Sequence, residues 1–250
     1  MSFITFHNFA LQISNNSMSK KNTANSGLDI IESPEALAGQ INKAETFFRK
    51  NQKVLIGVGA AILIGLLAFA GYRWYIDSQE SSAQVALSNV VYDFEADSLN
   101  KALTGSGGNE GLLSIADEYS GTDAANLANL YAGIALMKQG KFDDAISRLE
   151  SFSSSDLLVQ ARATALIGDA YMEKNQPAEA ISYYKKAAGY KSNDFFTPLY
   201  LMKLGIAQEK ANQPQDAIAS YNKIIEEHPL SAEVTNAKKY KGLLEGQVGE

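Results

Sequence analysis

A chain of 250 residues with no cysteine, two histidines and a net charge of −6 excludes disulfide staples, thiolate metal sites and a cysteine nucleophile, and leaves little for hydrolytic or metal chemistry. The charge is uneven: residues 1–53 carry six basic and four acidic groups, and residues 74–250 carry fifteen basic and twenty-four acidic (15 − 24 = −9). The larger part therefore lacks the clustered Lys and Arg that nucleic acid or a broad footprint on anionic lipid requires.

Residues 1–32 are rich in Asn and Ser without a sustained hydrophobic period, which predicts a disordered cytoplasmic tail. Met18, followed by Ser19-Lys20-Lys21, stands as an alternative start to Met1. From Ser33 the pattern changes. Ser33 suits an N-cap, Pro34 the first helical position and Glu35 the positive end of the helix dipole. Leu37, Ile41, Ala44 and Phe48 then recur at three- and four-residue steps, predicting an amphipathic juxtamembrane helix over residues 33–53 that anchors at the interface or meets a partner.

The apolar run Val54–Tyr72 is uncharged, is preceded by Lys50 and Lys53, and is followed by Arg73. At about 1.5 Å rise per residue, its length just crosses a hydrocarbon core of roughly 30 Å, so it predicts one transmembrane helix. A cleaved signal sequence begins nearer the chain start, and a soluble core helix rarely lacks polar residues for so long. Tyr72, Trp74 and Tyr75 supply an interfacial belt. Lys43, Arg49, Lys50 and Lys53 precede the run, whereas Arg73 alone follows closely, so the N-terminus is expected in the cytoplasm and the C-terminal domain across the inner membrane, in the periplasm. Gly57, Ala61 and Gly65 fall at i, i+4 and i+8 and offer a stripe for close packing on another membrane helix, a partner's or a second copy's.

Residues 73–125 read as a linker helix reaching about Leu103 and the second helix of a degenerate first repeat near 111–124, joined by a flexible loop at Gly105-Ser106-Gly107-Gly108-Asn109. No Lys-Ser/Thr follows those glycines, so they make no phosphate loop. Residues 126–229 hold three repeats. Gly133 leads to Ala145 and Leu149, Gly168 to Ala180 and Tyr184, and Gly205 to Ala217 and Tyr221. The alanines are 35 (180 − 145) and 37 (217 − 180) residues apart, near the tetratricopeptide period of about 34. In each pair the glycine and alanine let two helices approach, and the Leu or Tyr after the alanine fills the space toward the next pair. Residues 230–250 hold a capping helix and tail. The fold class is all-α: one membrane helix followed by a tetratricopeptide-type solenoid.

In that register the face of the first helices carries Leu127, Leu130, Ile134 and Met137; Arg162, Ala165, Asp169 and Met172; and Leu199, Met202, Ile206 and Glu209. An apolar, Met-containing surface with few charges suits capture of a helix or extended peptide, although some of these side chains are also placed to pack on the neighbouring repeat. The Lys/Asn/Arg clamp for a C-terminal carboxylate is missing, with Leu130, Ile134 and Asp169 in its place. His228, beside Pro229, reads as a solvated residue at a helix end, and Glu226, Glu227 and His228 lie too close in sequence to ligate one metal. No cofactor and no catalytic residues are expected.

Ala44-Glu45-Thr46-Phe47-Phe48-Arg49-Lys50-Asn51-Gln52-Lys53, leading into Val54–Gly71 and Tyr72-Arg73-Trp74-Tyr75, resembles the YfgM-type ancillary subunits of the bacterial SecYEG translocon. The likeness runs from about Ile41 to the C-terminus, closest around the apolar run; the long Asn/Ser-rich N-terminus and clearer repeats depart from it. It implies a non-catalytic subunit beside the Sec channel, working with a PpiD-like membrane-anchored chaperone on emerging polypeptides. An envelope scaffold for cell-wall or outer-membrane assembly, independent of the translocon, is the alternative.

Overall fold

The structure, a computed structural model, describes residues 34–248, with side chains from 38 to 247. The expected tail and Ser33 cap, with His7, Met18 and the side chain of Leu37, lie outside the described residues. Among the described residues there are ten α-helices and no strand: α1 Pro34–Glu95, α2 Leu99–Thr104, α3 Leu112–Glu118, α4 Asp123–Lys138, α5 Phe142–Ser151, α6 Leu157–Glu173, α7 Pro177–Gly189, α8 Thr197–Lys210, α9 Pro214–Glu227 and α10 Val234–Val248. Two compact units divide after Ala68.

In the first unit, the large apolar side chains at Val54, Ile56, Val58, Ile62, Leu63, Ile64, Leu66 and Leu67 are each 52–67% exposed. No protein covers them. The run is long and apolar enough to cross a membrane. A side-chain carbon built at Gly57 or Gly65 meets nothing within 4 Å, so the small-residue stripe is open in this chain.

The second unit, from Phe69, opens with the C-terminal part of α1. Ala83, Leu87 and Val90 are buried against Leu112, Ile115, Ala124 and Ala128. The helix ends at Glu95, short of the expected Leu103. Asp97 adopts a left-handed φ of 53° and pairs with Lys138 at 2.8 Å, and the reversal lets Ala102 and Leu103 reach the same core. A straight helix would have carried them into solvent. The glycine loop, expected to be flexible, follows a defined turn in the structure. Gly105, Gly107 and Gly108 take φ of 84°, 60° and 88° around a Ser106–Asn109 bridge, and a side chain at Gly105 would strike Asn109 O at 2.2 Å. Arg148 makes a two-pronged bond to Asp117 at 2.6 and 3.0 Å, tying α5 to α3 and holding the Asp117 carboxyl below the usual carboxylate range.

The three expected pairs are α4/α5, α6/α7 and α8/α9, with α10 as the cap. Each first helix ends in the same way. The residues with positive φ are Gly140 at 74°, Asn175 at 57° and Asn212 at 56°, and the next residue's N–H bonds five residues back: Lys141 to Leu136 O, Gln176 to Tyr171 O, Gln213 to Gln208 O, at 2.8–2.9 Å. This is the Schellman termination, which turns the chain into the second helix without leaving carbonyls bare.

The pairs close on their glycines. A side-chain carbon built at Gly133 would lie 2.6 Å from Leu149, at Gly168 2.7 Å from the ring of Tyr184, and at Gly205 2.4 Å from the ring of Tyr221. The residue four after each alanine therefore seats on the glycine of its own pair. It also belongs to the core shared with the next pair, Leu149 with Ala163 and Ile167, Tyr184 with Leu201 and Leu204, and Tyr221 with Ala237 and, stacked at 5.8 Å, Tyr240.

Gly168→Ala and Gly205→Ala are each expected to destabilise the full chain by about 1–3 kcal/mol through overpacking. Gly189→Ala, where an added carbon meets nothing within 4 Å, is expected to be neutral or to stabilise by up to about 1 kcal/mol through helix propensity. Urea unfolding followed by circular dichroism in detergent separates the two classes.

Candidate functional site

The face formed by α4, α6 and α8 is where the sequence places a partner surface, and its residues divide into three kinds. Leu130 and Met202, only 9% and 8% exposed, and Ala165, at 3%, belong to the core. Leu127, Ile134, Met137 and Met172 are partly buried, packed on the cores between repeats. Leu199 and Ile206, 40% and 36% exposed, stand free one above the other on α8, and Arg162 on α6 is exposed as well. Of the face drawn from the sequence, Leu130, Ala165 and Met202 are withdrawn into the core and the outer members remain at the surface.

The two acidic positions are committed internally. Asp169 accepts a hydrogen bond from the Tyr184 hydroxyl at 2.6 Å and from Lys203 at 2.7 Å, joining α7 and α8 to α6. Glu209 accepts from the Tyr221 hydroxyl. Burial, followed by these carboxylate bonds, pushes both tyrosine hydroxyls well above the usual tyrosine range, so they act as fixed donors. The seat that packs the tyrosine ring on glycine also aims its hydroxyl across to the acidic residue. Those carboxylates brace the repeats and are not free charges offered to a partner.

The sequence reading missed a second opening. Between residues 80–95 of α1 and α4 runs a cleft of about 560 Å³, with Leu87, Val91, Leu127 and Tyr131 among its lining and Tyr92 at its edge. Its ends are fixed. Glu80 accepts from the backbone N–H groups of Asp123 and Ala124 at 2.6 and 3.2 Å, capping the start of α4, and Lys138 meets Asp97 at its end. The two helices therefore run parallel. Val91 and Tyr92 were legible as apolar positions, but only the position of α1 beside α4 makes them neighbours of Leu127.

His228 is buried, 7% exposed, with Nδ1 2.8 Å from Asp194, which corrects the expected solvated histidine. Its ring closes the gap between the loops before α8 and α10. Among the described residues no group of three or more His, Asp or Glu side chains is arranged to hold a metal.

Family comparisons agree with this architecture. Tetratricopeptide repeat profiles match residues 130–194 and 200–231, and a tetratricopeptide repeat-like domain profile matches residues 45–158. No curated protein matches the chain. The helix pairs are of the tetratricopeptide type, whose role is protein–protein interaction.

Tyr184→Phe is expected to cost about 1 kcal/mol of stability, since it removes one charge-assisted bond and leaves Asp169 paired with Lys203. Leu199→Asn with Ile206→Asn is expected to cost no more than about 1 kcal/mol in total, because both positions are already open to solvent. Chemical denaturation of the full chain checks both values.

Proposed function

We propose that the chain is a non-catalytic, single-span membrane protein whose repeat domain is the partner-binding module of an ancillary subunit of the SecYEG translocon. The span is Val54–Tyr72, the N-terminus is cytoplasmic and the repeats are periplasmic, as the basic flank before the run and the acidic domain after it favour. The open stripe of Gly57, Ala61 and Gly65 packs on a neighbouring membrane helix, where close backbone approach replaces the missing hydrophobic drive. Leu199, Ile206 and Arg162, with the cleft beside Leu127, receive a PpiD-like membrane-anchored chaperone or an emerging polypeptide.

One observation carries this reading. The repeat-like domain profile runs unbroken over 45–158, through the basic flank, the apolar run and the first helix pair. The apolar run is thus matched as one piece with the repeats, which supports the resemblance drawn from Ala44–Tyr75. The test is photocrosslinking in living cells from probes placed at Ala61 and at Ile206. A channel subunit captured at Ala61 and a chaperone or emerging chain at Ile206 is the expected result. Cell-wall or outer-membrane assembly factors at Ile206, with only self-adducts at Ala61, would replace it with the envelope scaffold.

A further inference from the structure

The edge where each pair passes to the next carries exposed apolar side chains, one in the first turn of α6 and two in the loops before α8 and α10, that the partner face does not use. Leu158 is 41% exposed, Phe195 78% and Leu230 fully exposed. They lie 37 (195 − 158) and 35 (230 − 195) residues apart, amid Ser, Asn and Asp.

These loops form one continuous edge, because each is bonded to the next. The Asn126 side chain, in the first turn of α4, exchanges two hydrogen bonds with the backbone of Ser153, at 2.8 and 2.9 Å. The Tyr190 hydroxyl and Lys191 donate to Ser154 O and Ser155 O at 3.0 and 2.5 Å. Asp194 then meets His228 at 2.8 Å. The edge begins at Gly121, where an added side-chain carbon would lie 3.0 Å from Ile76 and 3.1 Å from the Tyr72 hydroxyl. Tyr72 is the last residue of the apolar run, and with Trp74 and Tyr75, 74% and 52% exposed, it forms the aromatic belt expected at a membrane surface. Because α4 runs parallel to α1 from Glu80 to Asp97, the opposite edge, with Gly140, Asn175 and Asn212, points the other way along α1.

We infer that this loop edge rests on the lipid bilayer, with Phe195, Leu230 and Leu158 inserted at the boundary between headgroups and acyl chains. The inference rests on the reading of Val54–Tyr72 as a membrane span. The occupant is lipid, because the edge starts at Gly121 against Tyr72 of the aromatic belt and continues through loops bonded one to the next. Its charges are Asp123, Asp156, Lys191, Asp194 and Glu233. Asp156 caps α6 by accepting from Leu158 and Val159 N–H, Asp194 is paired with His228, and Lys191 is bonded to Ser155. An edge with more acids than bases is held by apolar insertion, so anionic lipid is not required. Seating the edge would fix the height of the partner face above the membrane.

The chain has no cysteine, so single labels report without background. Full-length Leu63→Cys, Phe195→Cys, Leu230→Cys and Gln215→Cys would each carry an environment-sensitive fluorophore in phosphatidylcholine nanodiscs holding one copy. Two lipid quenchers are used, one bearing a nitroxide near the headgroup end of its acyl chain, read at 195, 230 and 215, and one bearing it near the methyl end, read at 63. Quenching at 195 and 230 within about twofold of that at 63, with none at 215 on the opposite edge, is the expected result. Quenching at 63 but not at 195 or 230 overturns the docking and leaves the span standing. Loss of quenching at 63 overturns both. A blue shift at 195 and 230 without lipid quenching would mean a protein contact, and equally overturns the inference.

Discussion

The second unit depends on one repeated contact: a ring or branched side chain seated on a helical glycine. Tyr221 lies so close to Gly205 that even a methyl group there would fall 2.4 Å from its ring, and Tyr184 on Gly168 and Leu149 on Gly133 repeat the arrangement. Because the seat is a bare Cα, the two helices of a pair approach more closely than ordinary side chains allow, and Ala145, Ala180 and Ala217 are fully buried beside it. The tyrosine hydroxyls then extend the seat into a polar brace, Tyr184 to Asp169 and Tyr221 to Glu209. A single close contact thus sets the spacing within each pair.

Function follows from what that packing leaves over. The first helices spend Leu130 and Met202 on the core and Asp169 and Glu209 on the tyrosines, so the free surface is narrower than the pattern of their first helices suggests: Leu199, Ile206, Arg162 and the cleft beside α1. The parallel course of α1 and α4 gives the unit a direction, since Glu80 fixes one end and Asp97 the other. The proposed partner face and the proposed bilayer edge use different side chains, so the one does not compete with the other.

The repeats were legible because their spacing is a packing requirement: no other residue fits at Gly133, Gly168 or Gly205 without displacing its neighbour. The apolar run was legible because length and charge alone define it. Other features were hidden because they arise between segments distant in sequence. His228 is buried beside Asp194, in the preceding loop, and α1 stops at Glu95, where Asp97 takes a left-handed φ and meets Lys138. Asp169 resembles a groove charge until Tyr184 and Lys203 are brought to it. The glycine loop reads as flexible from composition, yet the left-handed φ values at Gly105, Gly107 and Gly108 show each glycine occupying a required backbone conformation.

The measurement that bears most directly on the seat is a double-mutant cycle of Gly205→Ala and Tyr221→Ala in the full chain, read by equilibrium unfolding. If the ring on bare backbone governs the pair, the alanine that is costly opposite Tyr221 becomes neutral or favourable once the ring is gone. The coupling should then exceed about 1 kcal/mol. Additivity to within about 0.5 kcal/mol would contradict the account, since it would mean that Gly205 serves its own helix and not the tyrosine seated on it.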